Sequence, residues 1–252
     1  MMNLLHRMGF SNRKPKSVEN KADAEAQESF VKDYRALKQR KKAGDTLYFM
    51  DGVHPQHNST PAYGWIKKGQ APTVLSNTGR QRLILNGAVN IETVQAVVRD
   101  DETLNVDSTV ALLKTLEHKY PLARRIYVIV DNARYYRSRI VKQYVKGSRI
   151  RLIFLPPDAP NLNLIERLWK YFRKVVLYNR YYPTFAEFRK ACLEFFANLR
   201  NHRAALRTLF AENFQILSAA QPDNFIWNEY IYPISGRPET RRAMEVLSKG
   251  LS

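Results

Sequence analysis

The chain has 252 residues, 44% of them hydrophobic and 25% charged, which fits one globular domain with a small appendage and argues against wholesale disorder. Its formal net charge is +18, because 41 Lys and Arg residues face 23 Asp and Glu residues. Such a charge usually indicates a polyanionic partner. Nucleic acid is favoured over an anionic membrane, because the sequence has no lipidation signal and no long basic amphipathic helix. The single cysteine, Cys192, excludes an internal disulfide framework and multi-cysteine zinc sites.

The first 44 residues are predicted to form a linker followed by one helix. Residues 11–20 are polar and basic, as is typical of a linker. From 21 to 42, apolar residues recur every three or four positions, and Gly44 ends this helical pattern. At the other end of the chain, residues 218–252 match no recognisable pattern and form a tail of unknown role.

Residues 45–217 have the pattern of an α/β domain. Strands are predicted at 46–50, 83–90, 93–98, 126–130 and 150–155. Helices are predicted at 107–120, 140–145, 163–177 and 185–209, the last with a break near Asn201. The second and third strands are almost contiguous and indicate a hairpin, whereas the later strands alternate with helices. We therefore expect a mixed five-stranded sheet flanked by helices.

Three acidic residues occupy comparable places in this pattern. Asp51 ends the first predicted strand, Asp131 ends the most apolar strand, and Glu166 lies in the first turn of the helix after the last strand. Because sites in open α/β sheets form beyond the carboxyl ends of strands, these side chains could converge. Carboxylate oxygens suit hard cations such as Mg²⁺, and a pair of such ions can hold both oxygens of a phosphodiester displacement.

The three acids lie within a strongly basic stretch. Between 124 and 180 the only acidic residues are Asp131, Asp158 and Glu166. The neighbouring basic residues are candidate contacts to DNA phosphates: Arg134, Arg137, Arg139, Lys142, Arg167, Lys170, Arg173 and Lys174. The pattern predicts a metal site within a phosphate-binding surface.

Each acid also has a purely structural interpretation. Glu166 follows Asn163 by three residues and could close the start of the helix. Asp51 and Asp131 each begin a dipeptide that is common in turns. The functional interpretation depends on all three acids falling at compatible positions. His54 and His57 are interpreted as structural, because no third soft metal ligand accompanies them.

Three segments resemble the catalytic blocks of DDE transposases, in the bacterial insertion-sequence branch of the mariner-type superfamily. They lie at 48–55, 128–133 and 155–170, and the last reads LPPDAPNLNLIERLWK. The spacing between Asp131 and Glu166 is also that of this family. Two departures stand out: Leu164 replaces a common proline, and Tyr135 and Tyr136 occupy a stretch that often carries a histidine.

The resemblance implies a ribonuclease H-like fold in which Asp51, Asp131 and Glu166 are the catalytic ligands of two Mg²⁺ or Mn²⁺ ions. The implied activity is cleavage of DNA at transposon ends and strand transfer into target DNA, in the bacterial cytoplasm at the nucleoid. The implied partners are these DNAs, a second copy of the chain on DNA and an upstream helix–turn–helix segment or product, with no membrane. Residues 1–44 would then be the end of a helix–turn–helix region, and 45–217 the catalytic domain.

Two other functions stay open on the sequence. One is a catalytically silent or truncated remnant that only binds DNA, which the incomplete helix–turn–helix region suggests. The other is a ribonuclease H-like nuclease acting on branched or hybrid substrates, although the long third block argues against it.

Overall fold

The computed structural model describes residues 23–217, so the predicted linker at 11–20 and the tail at 218–252 lie outside the described residues. The strands are β1 (Thr46–Val53), β2 (Leu85–Asn90), β3 (Gln95–Asp100), β4 (Ile126–Val130) and β5 (Ile150–Phe154). The α-helices are α1 (Ala24–Arg40), α2 (Val106–Lys119), α3 (Arg139–Lys146), α4 (Ile165–Phe172), α5 (Phe185–Ala197) and α6 (Arg203–Leu209). Each predicted strand and helix is therefore confirmed.

The strands form one five-stranded sheet in the order β3-β2-β1-β4-β5. Strands β2 and β3 form the predicted hairpin, and β1 pairs antiparallel with β2. On its other side β1 pairs parallel with β4, which in turn pairs parallel with β5. The predicted mixed sheet is confirmed, and β1 lies at its centre, where the antiparallel and parallel halves meet.

Alternate residues of β1 contribute to two hydrophobic cores, because successive side chains of a strand point to opposite faces. Tyr48 and Met50 pack in the core that contains the buried residues of α2 and α3. Leu47 and Phe49 pack in the core that contains the buried residues of α1, α4 and α5. The sheet is thus covered by helices on both faces, as an α/β domain requires.

Helix α1 is part of the same packed unit as the sheet. Asp23 caps its first turn by accepting a hydrogen bond from the Ala26 N–H at 3.0 Å. Tyr34 is buried, and its ring centroid lies 5.9 Å from that of Phe49 on β1. The helix predicted within the first 44 residues therefore contributes to the core of the domain.

The long helix predicted at 163–177 is divided in the structure. A 3₁₀ turn at Pro160–Leu162 precedes α4, and a π-helical turn at Arg173–Leu177 continues it. The break predicted near Asn201 is confirmed as the 3₁₀ turn Leu199–His202 between α5 and α6. Among the residues that the structure describes, no helix has the length and apolar composition needed to cross a bilayer.

Candidate functional site

Asp51 and Asp131 lie at the same, carboxyl end of the parallel strand pair. Phe49 of β1 pairs with Ile129 of β4 in the last pair of the ladder, and each aspartate follows two residues later. Phe49 and Ile129 both pack in the core beneath α4, and residues two apart share a face. The two aspartates therefore face α4.

The prediction that Asp51 ends the first strand is wrong. Strand β1 continues to Val53, because pairing with β2 extends beyond the pairing with β4, and Asp51 lies opposite Gly87. Asp131, in contrast, directly follows β4 as predicted. Because β1 pairs with β2 before and after Asp51, the sheet holds the backbone on both sides of this residue.

Glu166 reaches the same place from α4, which packs against β1. Trp169 of α4 is fully buried, and a β carbon added at Gly87 would lie 2.6 Å from its Cη2 atom. The glycine therefore lets the indole lie directly on the sheet, opposite the Asp51 position. Because residues three apart are neighbours on one side of a helix, this packing holds Glu166 above the sheet edge.

The electrostatics of Asp51 show that the three carboxyl groups interact. Burial raises the pKa of the Asp51 carboxyl well above its usual range. A hydrogen bond with Glu166 and the negative charges of Glu166 and Asp131 raise the pKa further, and the Gly52 N–H opposes them. A partly buried carboxylate near other acids is unfavourable unless a proton or a cation neutralises its charge.

The structural interpretations of the three acids have different outcomes. Asp51 Oδ1 accepts a hydrogen bond from the Gly52 N–H at 2.7 Å, and Asp131 Oδ1 accepts one from the Ala133 N–H at 2.9 Å. The turn interpretation is therefore correct for Asp131 and wrong for Asp51, because Asp51 and Gly52 both lie within β1. The capping interpretation of Glu166 is wrong, because α4 begins without a side-chain capping hydrogen bond.

Two tyrosines beside the carboxylates were not predicted as part of the site. Burial, followed by the charge of Asp131, raises the pKa of Tyr135 to about 12. Tyr136 is buried, its ring centroid lies 4.5 Å from that of Tyr135, and both aspartates contribute to the raised pKa of its hydroxyl. These tyrosines occupy the stretch of sequence in which the resembling family often has a histidine. In the sequence, their position shortly after Asp131 could have indicated that they belong to the site.

Most of the predicted DNA contacts are exposed on the surface. The exposed ones are Arg134, Arg137, Arg139, Lys142, Lys170 and Lys174. Arg137 also makes contacts within the chain: it donates a hydrogen bond to Asn132 and lies 4.1 Å over the ring of Phe154. Its guanidinium is therefore held in place beside the residue that follows Asp131. Arg173 is half-buried.

Arg167 differs from the other predicted DNA contacts. Its guanidinium donates hydrogen bonds to the carbonyl oxygens of Leu209 at 2.9 Å, Ala211 at 2.5 Å and Asn213 at 3.2 Å. These bonds attach the segment after α6 to α4. The contacts give Arg167 a structural role, and its contact with DNA stays a prediction.

The histidine interpretation agrees with the structure. His57 is buried, and its Nε2 lies 2.8 Å from the Tyr182 carbonyl oxygen and 3.1 Å from Asn77 Nδ2. Its ring therefore joins the loop after β1 to the segment after α4. His54 is exposed.

The donor set fits hard divalent cations, because carboxylate oxygens are the ligands that Mg²⁺ and Mn²⁺ prefer. Within residues 23–217, no three His, Cys, Asp or Glu side chains are grouped as ready-made ligands of one ion. The fit therefore rests on the chemistry of the three acids and on the raised pKa of Asp51. A bound cation would offset both the burial of the charge and the repulsion from the other acids, which together raise this pKa.

Comparison with protein families identifies two matching regions. Residues 46–189 match the family described as DDE superfamily endonuclease, and residues 1–34 match the family described as winged helix-turn helix. A curated relative is the insertion element IS630 uncharacterized 39 kDa protein of Shigella sonnei, 26% identical over 134 residues. The match spans 53% of this chain but only 39% of the relative's own length.

Comparison with solved structures supports the fold. The Mos1 transposase paired-end complex with left transposon end has a TM-score of 0.59 and 17% identity, covering 85% of this chain and 70% of that chain. The mariner Mos1 paired end complex with Mg has a TM-score of 0.60 and 16% identity, covering 86% and 71%. The expected ribonuclease H-like fold is confirmed.

Proposed function

The chain belongs to the DDE superfamily endonucleases, and from this premise we propose that it cleaves DNA at transposon ends and transfers the cut strand into target DNA. Asp51, Asp131 and Glu166 would act together as ligands of the divalent cations that this chemistry needs. The observation that carries the proposal is that β1 pairs with β4 and packs against α4, so the elements that bear the three acids lie together. The raised pKa of Asp51, caused first by burial and then by Glu166 and Asp131, supports it. Three acids from separate parts of the chain therefore share one electrostatic environment.

The proposed cofactors are two Mg²⁺ or Mn²⁺ ions. When bound, such ions lower the pKa of an attacking oxygen and stabilise negative charge on the leaving oxygen. The chain itself would supply the carboxylates and the rigid sheet that holds two of them. The Mg in one solved Mos1 complex supports the choice of metal.

The exposed basic residues of the site would bind the DNA backbone. On the continuous helical stretch from α4 into the π turn, Lys170 lies four residues after Glu166, and Lys174 four residues later. Residues four apart lie on the same helix face, so these two cations extend in a row from the proposed metal ligand. Arg134 and Arg139 lie exposed after β4, on the Asp131 side. A DNA backbone lying across both groups would pass over the carboxylates.

The remaining proposals concern the organisation of the chain and its partners. Residues 45–217 would form the catalytic domain, into whose core α1 packs, and 1–44 would be the end of a helix–turn–helix region, which the match at 1–34 supports. Transposon-end DNA, target DNA, a second copy of the chain and an upstream helix–turn–helix product are the proposed partners. The proposed location is the bacterial cytoplasm, at the nucleoid.

The decisive test is nicking of a supercoiled plasmid that carries the element's ends, with Mg²⁺ present. We expect Asp131→Asn to abolish nicking while leaving DNA affinity nearly unchanged. Asp158→Asn is the matched control, because Asp158 is an exposed acid in the same basic stretch. Its φ of 52° also suits asparagine. Nicking by Asp131→Asn at the wild-type rate would contradict the proposed site.

The same assay separates the alternative functions. A wild-type chain that binds DNA but never nicks it, alone or with the upstream segment supplied, would favour the silent remnant. Faster cleavage of an RNA–DNA hybrid than of duplex DNA would favour a ribonuclease H-like nuclease.

A further inference from the structure

The 3₁₀ turn after α5 and the helix α6 carry a row of three exposed arginines. Arg200 lies in the turn, and Arg203 and Arg207 lie in α6. Because they are spaced three and four positions apart, their side chains lie on one side of this segment. No Asp or Glu occurs between 195 and 211. These three residues are called the α6 arginine row.

The side chains of the row have no partner among residues 23–217, where none of them forms an ion pair or a hydrogen bond. Arg189 on α5, by contrast, donates a hydrogen bond to Asp100 at 2.6 Å. Arg203 and Arg207 are also like charges one helical turn apart, an arrangement that destabilises a helix. A polyanion bound across the row would replace this repulsion with attraction.

Apolar residues of the same segment hold the row in place. Leu206 of α6 is fully buried, and Leu199 and Phe210 on either side of it are 5% and 4% exposed. All three belong to the core that contains the buried residues of α4 and α5. The arginines are therefore presented by a packed segment of the domain.

Helix α6 runs beside α4 in the opposite direction. Arg167, in the first turn of α4, donates to the Leu209 carbonyl oxygen at the end of α6. One turn further along α4, the Tyr171 hydroxyl oxygen lies 3.1 Å from His202 Nδ1, just before α6. Glu166 lies about 100° from Arg167 around the axis of α4. The proposed metal ligand and α6 are therefore on different sides of α4.

The chemistry of the row fits the backbone of duplex DNA. Guanidinium groups bind phosphate oxygens through paired hydrogen bonds. The rise per residue gives the row a length of roughly 12 Å, which is the axial rise of three or four base pairs. Residues 197–209 contain no Phe, Tyr or Trp, so the segment offers no ring on which unpaired bases could stack. A second copy of the chain is disfavoured by its own charge of +18.

We propose that the α6 arginine row binds the phosphates of duplex DNA, as a contact surface separate from the carboxylates. A duplex that crosses α4 at Lys170 would reach the row about 8–10 Å further from Glu166, the usual distance between packed helix axes. The choice of DNA rests on the proposed function, whereas the unpartnered charge rests on the structure. The row would add affinity without reading base sequence, because phosphate contacts carry no direct sequence information.

The test is the salt dependence of duplex affinity, measured by fluorescence anisotropy without divalent metal. A triple variant with Arg200→Gln, Arg203→Gln and Arg207→Gln should lower the slope of log affinity against log salt by about 2.7, or about 0.9 for each phosphate contact. The corresponding triple substitution by Lys should keep most of the slope, because it keeps the charge. Two duplexes of unrelated sequence should give the same result.

Lys114→Gln is the matched control for the single change Arg203→Gln. Lys114 is exposed on α2, which packs on the other face of the sheet. Its loss should leave the slope unchanged, and the melting temperatures of both variants should match wild type.

Two results would overturn the proposal: an unchanged slope in the triple Gln variant, or an equal fall in slope for Lys114→Gln and Arg203→Gln. Loss of binding to polyglutamate in the triple Gln variant, with an unchanged DNA slope, would assign the row to an acidic protein and also overturn it.

Plasmid nicking by the same proteins keeps the two proposals separate. If wild type binds duplex DNA through the row but never nicks it with Mg²⁺, the row proposal stands and the proposed cleavage function fails. If wild type nicks DNA while the triple Gln variant binds duplex DNA with the wild-type salt slope, the cleavage function stands and the row proposal fails.

Discussion

At the level of single residues, the candidate site depends on a carboxyl group that its surroundings make difficult to ionise. Asp51 is surrounded by protein and lies near two other acids, so ionising all three without a cation is unfavourable. Because its pKa is raised, the folded protein binds this proton more tightly than the unfolded chain does. The group's stabilising effect is therefore present below the unfolded pKa and is lost as pH rises towards the folded value.

The first prediction follows from this repulsion. Asp51→Asn should raise the melting temperature of the metal-free protein, and each 1 kcal/mol gained corresponds to about 2–4 °C in a domain of this size. The difference from wild type should be larger at about pH 8 than at about pH 5, because over that range the folded wild type still holds a proton that the unfolded chain has released. Differential scanning calorimetry measures both values.

Mg²⁺ provides the second half of this test. Wild type should gain stability when Mg²⁺ is added, because the ion binds the folded state and not the unfolded chain. Asp51→Asn should lose most of that gain. An Asp51→Asn protein that is less stable than wild type at both pH values, yet responds fully to Mg²⁺, would contradict the proposed ligand set.

Gly87 gives a second prediction at the residue scale. In Gly87→Ala the new β carbon would lie 2.6 Å from Trp169 Cη2, so α4 must move away from the sheet and carry Glu166 with it. Overpacking of this kind typically costs about 1–3 kcal/mol. We expect the nicking rate to fall by more than the loss of stability explains, because the ligands separate.

Gly147→Ala is the matched control for this change. Gly147 has ordinary backbone angles, and its nearest neighbour to an added β carbon is 3.9 Å away. Stability and nicking should both stay close to wild type. The positioning role of Gly87 would be contradicted if Gly87→Ala melted at a lower temperature but nicked DNA at the normal rate.

At the level of elements, α4 combines packing, metal binding and DNA contact on different sides of one helix. Ile165, Trp169 and Phe172 are fully buried against the sheet and α5, whereas Lys170 is exposed. Glu166 lies between these two sides. A movement of α4 would therefore disturb the core and the site together. Contacts that hold this short helix in place also keep Glu166 in position.

Arg167 supplies part of that anchoring, and this leads to the third prediction. Arg167→Gln should reduce stability by about 1.5–3 kcal/mol, the range for hydrogen bonds to a charged group, because three backbone carbonyls lose their donor. Any loss of DNA affinity should be smaller than for Lys170→Gln, because the guanidinium already donates to these carbonyls. Chemical denaturation and anisotropy with duplex DNA measure the two effects.

Lys170→Gln should show the opposite pattern, with normal stability and weaker DNA binding, because Lys170 is exposed on the same helix. If Arg167→Gln weakened DNA binding as much as Lys170→Gln without a loss of stability, the contacts with the segment after α6 would be secondary to a DNA contact.

At the level of the whole molecule, the net charge of +18 predicts how DNA affinity depends on salt. Each neutralised phosphate adds about 0.9 to the slope of log affinity against log salt. Lys142→Gln and Lys174→Gln should each lower this slope by about 0.9. Lys190→Gln should leave it unchanged, because Lys190 lies on α5 and pairs with Glu194 at 3.8 Å. A slope near zero for wild type would contradict a phosphate-dominated interface.

Local patterns were sufficient to predict the elements of this fold. Five consecutive apolar residues marked β4, and apolar spacing of three and four marked α2 and α4. The alternation of side chains along β1 and β4 also places Asp51 and Asp131 on the same face of the sheet. Each of them lies two residues after a core residue beneath α4. These features depend on neighbours in sequence, so they are visible without coordinates.

Other features depend on contacts between distant parts of the chain. Strand β1 extends past Asp51 because it pairs with β2 there. The distance of Glu166 from the sheet depends on Gly87, which lets Trp169 of the same helix pack closely on the sheet. The structural role of Arg167 requires the segment after α6, more than forty residues later. The sequence by itself determined which residues and elements were available for the site. Only the tertiary structure decided which of them meet, because burial, pairing and shared charge arise when separate segments pack together.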